Sequence, residues 1–402
     1  MKVLFITSSY TTNGNSAVIR HNALVKGFIQ MGCDVDVYTV KWPEEDRSNY
    51  FLTENNGNIH YSDLPVFARS GSLKKRIKIS EKKLVLKIKT FLSSLLYYPD
   101  ICKQWKSIIE VKNPSQYDFM VSSSFNTSSH FVGKKIKTLC PSLFWIQTWG
   151  DPWFYDDLVS PWYLKPLIFL HEYKLLESAD KIVYVSSPTA ELMKQKRKVF
   201  ASKITYIPRS YYSEIKKGKK IEEQIVVTYT GNLTRTTGRD ILEFVNAVKH
   251  YNSNNEVKIF MQLYCPLIDR DIKEKLTSQQ FIIINEGVDF DRIGEIYKRS
   301  DALLFISNKG GTSMIPGKFY DYLGTDLPII CLMSDITDNV TKFVKGFGGK
   351  CIVIENNMEM IVNKLISFRF LLFKKYPVIE SYSPKNVATE YLELYLSNQK
   401  KR

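Results

Sequence analysis

The stretch Lys309–Cys331, KGGTSMIPGKFYDYLGTDLPIIC, brings a glycine pair, a cation and a carboxylate close together. Gly310 and Gly311 follow the strand-like apolar run 302–306 and precede a short helical pattern entered through Pro316 and Gly317. That order leaves backbone N–H groups free at a helix start. Such an end carries about half a positive charge and about four unpaired donors, so phosphate or diphosphate is its natural ligand. Lys318 on the first turn adds a full charge, and Asp321, three residues on, shares its face of the helix. A cation for phosphate and a carboxylate for hydroxyls then point at one place. Gly324 stops the helix, and Pro328–Cys331 reads as the next buried strand. The alternative is a strand–loop–helix unit packed for structure only.

The segment Pro316-Gly-Lys318-Phe-Tyr-Asp321-Tyr322-Leu323-Gly324-Thr-Asp-Leu-Pro328-Ile-Ile330 resembles the donor-binding signature of retaining glycosyltransferases of the GT-B fold, in particular family 4. The resemblance implies an α/β chain of two Rossmann-like domains facing across a cleft, with a terminal helix crossing back to the first domain. It also implies transfer of a sugar from a nucleotide-diphosphate donor to a hydroxyl, with retention and without a metal or other cofactor. Asp321 stands where the family's second Glu holds the ribose; the first Glu of that pair would fall on Ser313. Thr312, Ser313, Met314, Ile315, Pro316 and Gly317 would line the donor, with Lys318 on its diphosphate.

A second specific segment is the strand Ile225–Leu233, which ends in Gly231-Asn232-Leu233. In the family an Arg and a Lys here neutralise the diphosphate. This chain has Asn232 and Thr237 in those positions, and Arg235 or Arg239 would supply the charge, Arg235 first, since arginine matches phosphate oxygens in bidentate fashion. Backbone around Val288 would meet the nucleobase.

Further elements position these residues. Lys2–Thr7 reads as a strand, followed by a polar loop holding Gly14, a helix from Asn15 or Ser16 to near Gly32, and a second strand at 35–40. Ligands of open α/β sheets bind at the carboxyl ends of such strands, and the resemblance brings Gly14 near the donor phosphates. No G-x-G-x-x-G is present, which argues against a dinucleotide enzyme. The run Leu143–Trp153 sets three tryptophans around Gly150-Asp151-Pro152; indoles at a loop tip either complete the core or face a ligand. By resemblance Asp151 is the acidic residue near the acceptor hydroxyl; otherwise it opens the turn before Pro152. The expected domains are 1–210 for the acceptor, 225–380 for the nucleotide sugar, a linker at 211–224, and a helix at 381–402 returning to the first domain.

Composition bounds the reading. The chain of 402 residues is 44% hydrophobic and 24% charged, a globular mixture of two or three domains. No apolar run reaches the ~18 residues of a membrane span, and Met1–Ser8 is too short for a signal peptide, so the expected location is cytoplasmic. Six cysteines without a C-x-x-C pair predict reduced, mostly buried thiols rather than zinc. The net charge is +15, and residues 69–89 hold nine basic residues against Glu81 alone. On a helix over 82–98, Leu84, Val85, Ile88, Phe91, Leu92, Leu95 and Leu96 fall in one arc ringed by lysines. That is either a surface segment for anionic lipid, making residues 69–98 a peripheral membrane contact, or a core-facing helix with a solvated basic face. No aromatic-rich nucleic-acid module accompanies the charge. The function expected is sugar transfer to a lipid-linked saccharide in surface or capsular polysaccharide assembly. A catalytically weak membrane-binding subunit and a nucleotide-sugar epimerase are the alternatives.

Overall fold

The computed structural model describes residues 1–12, 16–43, 47, 58–66, 91–155, 161–218, 224–234, 238–308, 314–368 and 374–400. Two compact units form: Met1–Arg209 together with Pro384–Arg402, and Ser210–Ser383. The first holds a seven-stranded sheet of β1 (Lys2–Ile6), β2 (Asp34–Val40), β3 (Asn58–Ser62), β4 (Phe119–Ser123), β5 (Phe144–Trp149), β6 (Lys181–Tyr184) and β7 (Ile204–Tyr206), in the order β3-β2-β1-β4-β5-β6-β7. The second holds β8 (Ile225–Thr230), β9 (Ile259–Tyr264), β10 (Ile282–Asn285), β11 (Ala302–Ile306), β12 (Ile329–Met333) and β13 (Cys351–Glu355), in the order β10-β9-β8-β11-β12-β13. Among the described residues, every pairing between these strands is parallel. These are two Rossmann-like sheets, as the fold class expected.

Helices connect the strands: α1 (Ser16–Gln30), α2 (Trp105–Ile108), α3 (Ser128–Leu139), α4 (Lys165–Ser178) and α5 (Ser187–Lys196) in the first unit. The second has α6 (Leu242–Asn254), α7 (Arg270–Thr277), α8 (Phe290–Lys298), α9 (Gly317–Leu323), α10 (Asn339–Lys345) and α11 (Met358–Phe368). Helix cover on both faces explains why the strands read as near-continuous apolar runs. Alternate residues of β1 serve opposite cores: Val3 and Phe5 pack with Phe28 and Val121, while Leu4 and Ile6 pack with Met120 and Trp145.

The chain's last helix, α12 (Pro384–Gln399), belongs to the first unit. It lies on α1, where a Cβ on Gly27 would stand 2.0 Å from the Pro384 carbonyl oxygen, so only glycine permits the approach. Val387, Ala388, Tyr391 and Leu392 complete the core around Phe28, and the Tyr391 hydroxyl bonds Thr148 Oγ1 at 3.0 Å.

Several local expectations change. Residues 211–218, read as linker, pack on the second unit: Tyr211 and Tyr212 are buried, and Ile215 pairs with Thr325. Their aromatic and aliphatic side chains gain more from that core than from solvent. Trp145 and Trp149 are not at a loop tip but on β5, both buried in one core. Of the basic helix, residues 91–96 are helical and 67–90 lie outside the described residues. Among the described residues no helix is long and apolar enough to cross a membrane. All six cysteines are unpaired, five of them buried.

A buried ion pair fixes α4 to the end of α5. Arg197 Nη2 donates to Glu172 Oε2 at 2.5 Å and Nε to the same oxygen at 3.1 Å, while Glu172 Oε1 accepts the Phe154 amide at 2.9 Å. The guanidinium carbon lies 4.2 Å from the Phe169 ring centroid, and both partners are almost fully buried. Removing one partner strands the other charge in the core. Glu172→Ala is expected to cost about 3–5 kcal/mol, a Tm loss on the order of 10 °C by calorimetry. The apolar double variant Glu172→Leu/Arg197→Met should recover most of it.

Candidate functional site

In the second unit the sheet order reverses between β8 and β11, and the polar residues gather at those strand ends. After Thr230 the chain turns through Gly231 at φ +128°, a conformation that favours glycine. Glycine also leaves room for Lys318, since a Cβ there would meet its Nζ at 3.1 Å. Lys318 reaches back from the first turn of α9, donates to the Thr230 carbonyl at 2.8 Å and stands 3.5 Å from the Tyr229 ring centroid. The Tyr229 hydroxyl in turn donates to the Asn232 carbonyl at 2.9 Å and steadies the glycine turn.

Arg239 Nε donates to Asn308 Oδ1 at 3.1 Å, just beyond β11. Burial first, and then the Arg239 charge, hold the Lys318 pKa well below the usual lysine value. Two cations held this close repel each other, and an anion placed on both would relieve the repulsion. Behind them Thr230 Oγ1 bonds the Tyr297 hydroxyl at 3.0 Å and the Tyr322 hydroxyl at 3.1 Å, so α8 and α9 both grip the end of β8. The arrangement suits a phosphate or diphosphate.

Of the residues singled out in the sequence, the structure gathers Gly231, Asn232, Arg239 and Lys318. Met314, Ile315, Pro316 and Gly317 form the half-buried run into α9. That helix spans only seven residues, so the positive charge rests on Lys318 and Arg239 more than on a helix dipole. Asp321 lies three residues further along α9, half-buried; burial pushes the Tyr297 hydroxyl pKa up, and the Tyr322 and Asp321 charges add to the rise. Val288 is half-buried in the loop between β10 and α8. Gly14, Arg235, Thr312 and Ser313 lie outside the described residues, as does Thr237. Sequence reasoning passed over Tyr229 and Asn308. Tyr229 reads as one more core residue of a strand, whereas Asn308, polar directly after an apolar strand, carried the usual loop signal.

Asp151 belongs to the first unit, where it is exposed on the lining of a cavity of about 490 Å³. Arg20, Asp100, Phe125, Trp149 and Trp153 line it too. Arg20 comes from α1 and donates to the Ser124 carbonyl just past β4; a Cβ on Gly150 would meet its Nη1 at 2.7 Å. Asp100 caps α3, accepting from the Ser128 amide and hydroxyl at 2.7 Å each, and burial raises its pKa. Trp149 packs on His130 with ring centroids 4.0 Å apart, and burial, then Arg20, push His130 down to about 3, so it stays neutral. Trp153 stacks on Tyr98 at 5.9 Å. Flat aromatic faces beside carboxylates and a guanidinium suit a polar ring with hydroxyls. Arg20 and Asp100 were not singled out in the sequence. Ser16, Ala17 and Arg20 share one helix face, a spacing that could have revealed the first.

The depressed Lys318 pKa has a pH signature. The unfolded chain binds this proton more readily than the folded one between the depressed value and about 10.4, so its contribution makes stability rise with pH there. Lys318→Met should therefore show a flatter rise than wild type in urea melts taken from pH 7 to 10.

No protein-family model matches the chain, and no curated protein sequence matches it. Solved structures do resemble it along its length. The apo form of the lipopolysaccharide outer core galactosyltransferase WaaB is 13% identical, with 99% of this chain and 100% of that one covered at a TM-score of 0.56. A UDP-N-acetylglucosamine 2-epimerase is 11% identical over 100% and 97% of the two chains, TM-score 0.55. The S. aureus MnaA–UDP co-structure is 13% identical over 98% and 97%, TM-score 0.51. The chain has a GT-B glycosyltransferase-like fold.

Proposed function

We propose that this protein is a retaining, family 4-like glycosyltransferase that moves a sugar from a nucleotide-diphosphate donor to a hydroxyl acceptor. The observation that carries the reading is the pair Lys318 and Arg239 at the carboxyl ends of β8 and β11, beside Gly231. Breaking the anomeric bond places charge on the leaving diphosphate. Preorganised cations lower that barrier because they act on charge that grows toward the transition state. Lys318, Arg239 and Arg235 take this role in our reading, Asp321 orients the ribose, and the run from Thr312 to Gly317 lines the donor. Side-chain cations make a metal unnecessary for the leaving group.

The acceptor is assigned to the first unit's cavity, with Asp151 taking or orienting the hydroxyl proton and the tryptophans holding the ring. Likeness in fold to a lipopolysaccharide galactosyltransferase and to a structure holding UDP supports a nucleotide sugar as partner. The basic stretch 69–89 supports a lipid-linked saccharide at the inner face of the membrane, as in surface polysaccharide assembly. A second reading, a nucleotide-sugar epimerase, is favoured by the 2-epimerases among the similar structures.

Thermal shift with UDP-, GDP-, ADP- and CMP-linked sugars tests the donor site, since a ligand of the native state raises Tm by mass action. The expected result is a rise with one diphosphate nucleotide that Lys318→Ala and Arg239→Ala each abolish. No rise with any of them overturns the catalytic reading. Turnover of the nucleotide sugar without an acceptor would replace the transferase by the epimerase.

A further inference from the structure

Residues 91–96 and 161–170 together expose large apolar side chains. Trp162 is 82% exposed, Leu96 61% and Leu92 58%, and Phe91, Leu95, Leu167 and Leu170 are exposed as well. The two segments are joined into one surface: the Tyr163 ring meets Phe91 edge-on at 4.8 Å, and its hydroxyl bonds Ser94 Oγ at 2.7 Å. An indole left this open in water is costly, and an amphipathic ring gains most where an apolar body and a polar edge both find their medium.

Cations stand beside the surface at its Leu96 and His171 edge. Lys103 Nζ donates to the Leu96 carbonyl, and Tyr98, two residues beyond the first segment, bonds His171 Nδ1 at 3.0 Å. Lys174, Lys134 and Lys106 all bring charge to His171, whose pKa burial has already lowered. The sequence entering at residue 91 carries the nine basic residues of 69–89. A second copy of a chain with net charge +15 would meet this face with like charge. An anionic bilayer meets it with opposite charge, headgroups for the lysines and an acyl boundary for the leucines.

We propose that this surface seats on an anionic membrane, with Trp162 at the headgroup level and Leu92 and Leu96 in the acyl boundary. The inference deepens the lipid-linked reading by naming the contact, and it is independent of the donor chemistry.

The test is sedimentation of the full chain with vesicles of phosphatidylglycerol and phosphatidylcholine in equal parts, and of phosphatidylcholine alone. Wild type should bind the anionic vesicles at least tenfold more tightly than the neutral ones. Trp162→Ser and Leu92→Ser/Leu96→Ser should each lose at least tenfold, with unchanged Tm. The control Ile283→Ser/Ile366→Ser, exposed by 54% and 63% in the second unit, should bind as wild type does. Three results overturn the proposal: no vesicle binding by wild type, equal binding by the surface variants, or a wild-type dimer in light scattering that Trp162→Ser makes monomeric. Nucleotide-induced thermal shifts on the same variants report the donor site separately, so failure of either reading is told from failure of the other.

Discussion

Parallel strands cannot be joined by tight turns, and that one constraint decides where this protein can do chemistry. Each connection must cross a face of the sheet, and the crossovers keep one hand. A sheet that begins at its middle strand and grows first to one edge, then to the other, must send helices to opposite faces. The two central strand ends are then left without a crossover above them. Both units have this order, with β1 beside β4 and β8 beside β11. In the second unit, Lys318 and Arg239 are found at that place; in the first, Arg20 reaches the loop beyond β4.

What stands at the strand ends is held by less visible residues. Lys318 would be a flexible surface cation without the Tyr229 ring beneath it and the Thr230 carbonyl in front of it. Thr230 is itself fixed by two tyrosine hydroxyls from different helices. In the first unit, the amide of Phe154 ends on Glu172, so the loop that carries Asp151 and Trp153 is tied to a buried ion pair. In both cases a polar group in the interior fixes a residue at the rim.

The fold was legible because parallel strands covered on both faces announce themselves as apolar runs, and glycines and polar residues mark their ends. The turn at Gly231 and the helix start at Lys318 were legible for the same reason, since a glycine closes the strand and Pro316 opens the helix. Tyr229 was hidden, because a ring that carries a cation and a ring that fills a core have the same periodicity. Residues 211–218 misled by their lysines: Lys217 holds a buried Asp301 at 2.5 Å, so the charges that read as solvated linker partly serve the fold. The tryptophans of β5 misled because a Gly-Asp-Pro turn follows them, although Trp145 and Trp149 themselves keep the two-residue period of a strand.

The contact of Gly27 with Pro384 has a consequence for how the protein is made. The ribosome finishes the first unit's seven strands long before it delivers α12, because all of residues 210–383 are translated in between. Through that interval the core around Phe28 lacks Val387, Ala388, Tyr391 and Leu392, and α1 presents an uncovered groove. The second unit can close as an unbroken stretch of chain, so the half synthesised first is the half that matures last. A nascent chain of this protein therefore carries an open apolar face around Phe28 until α12 emerges.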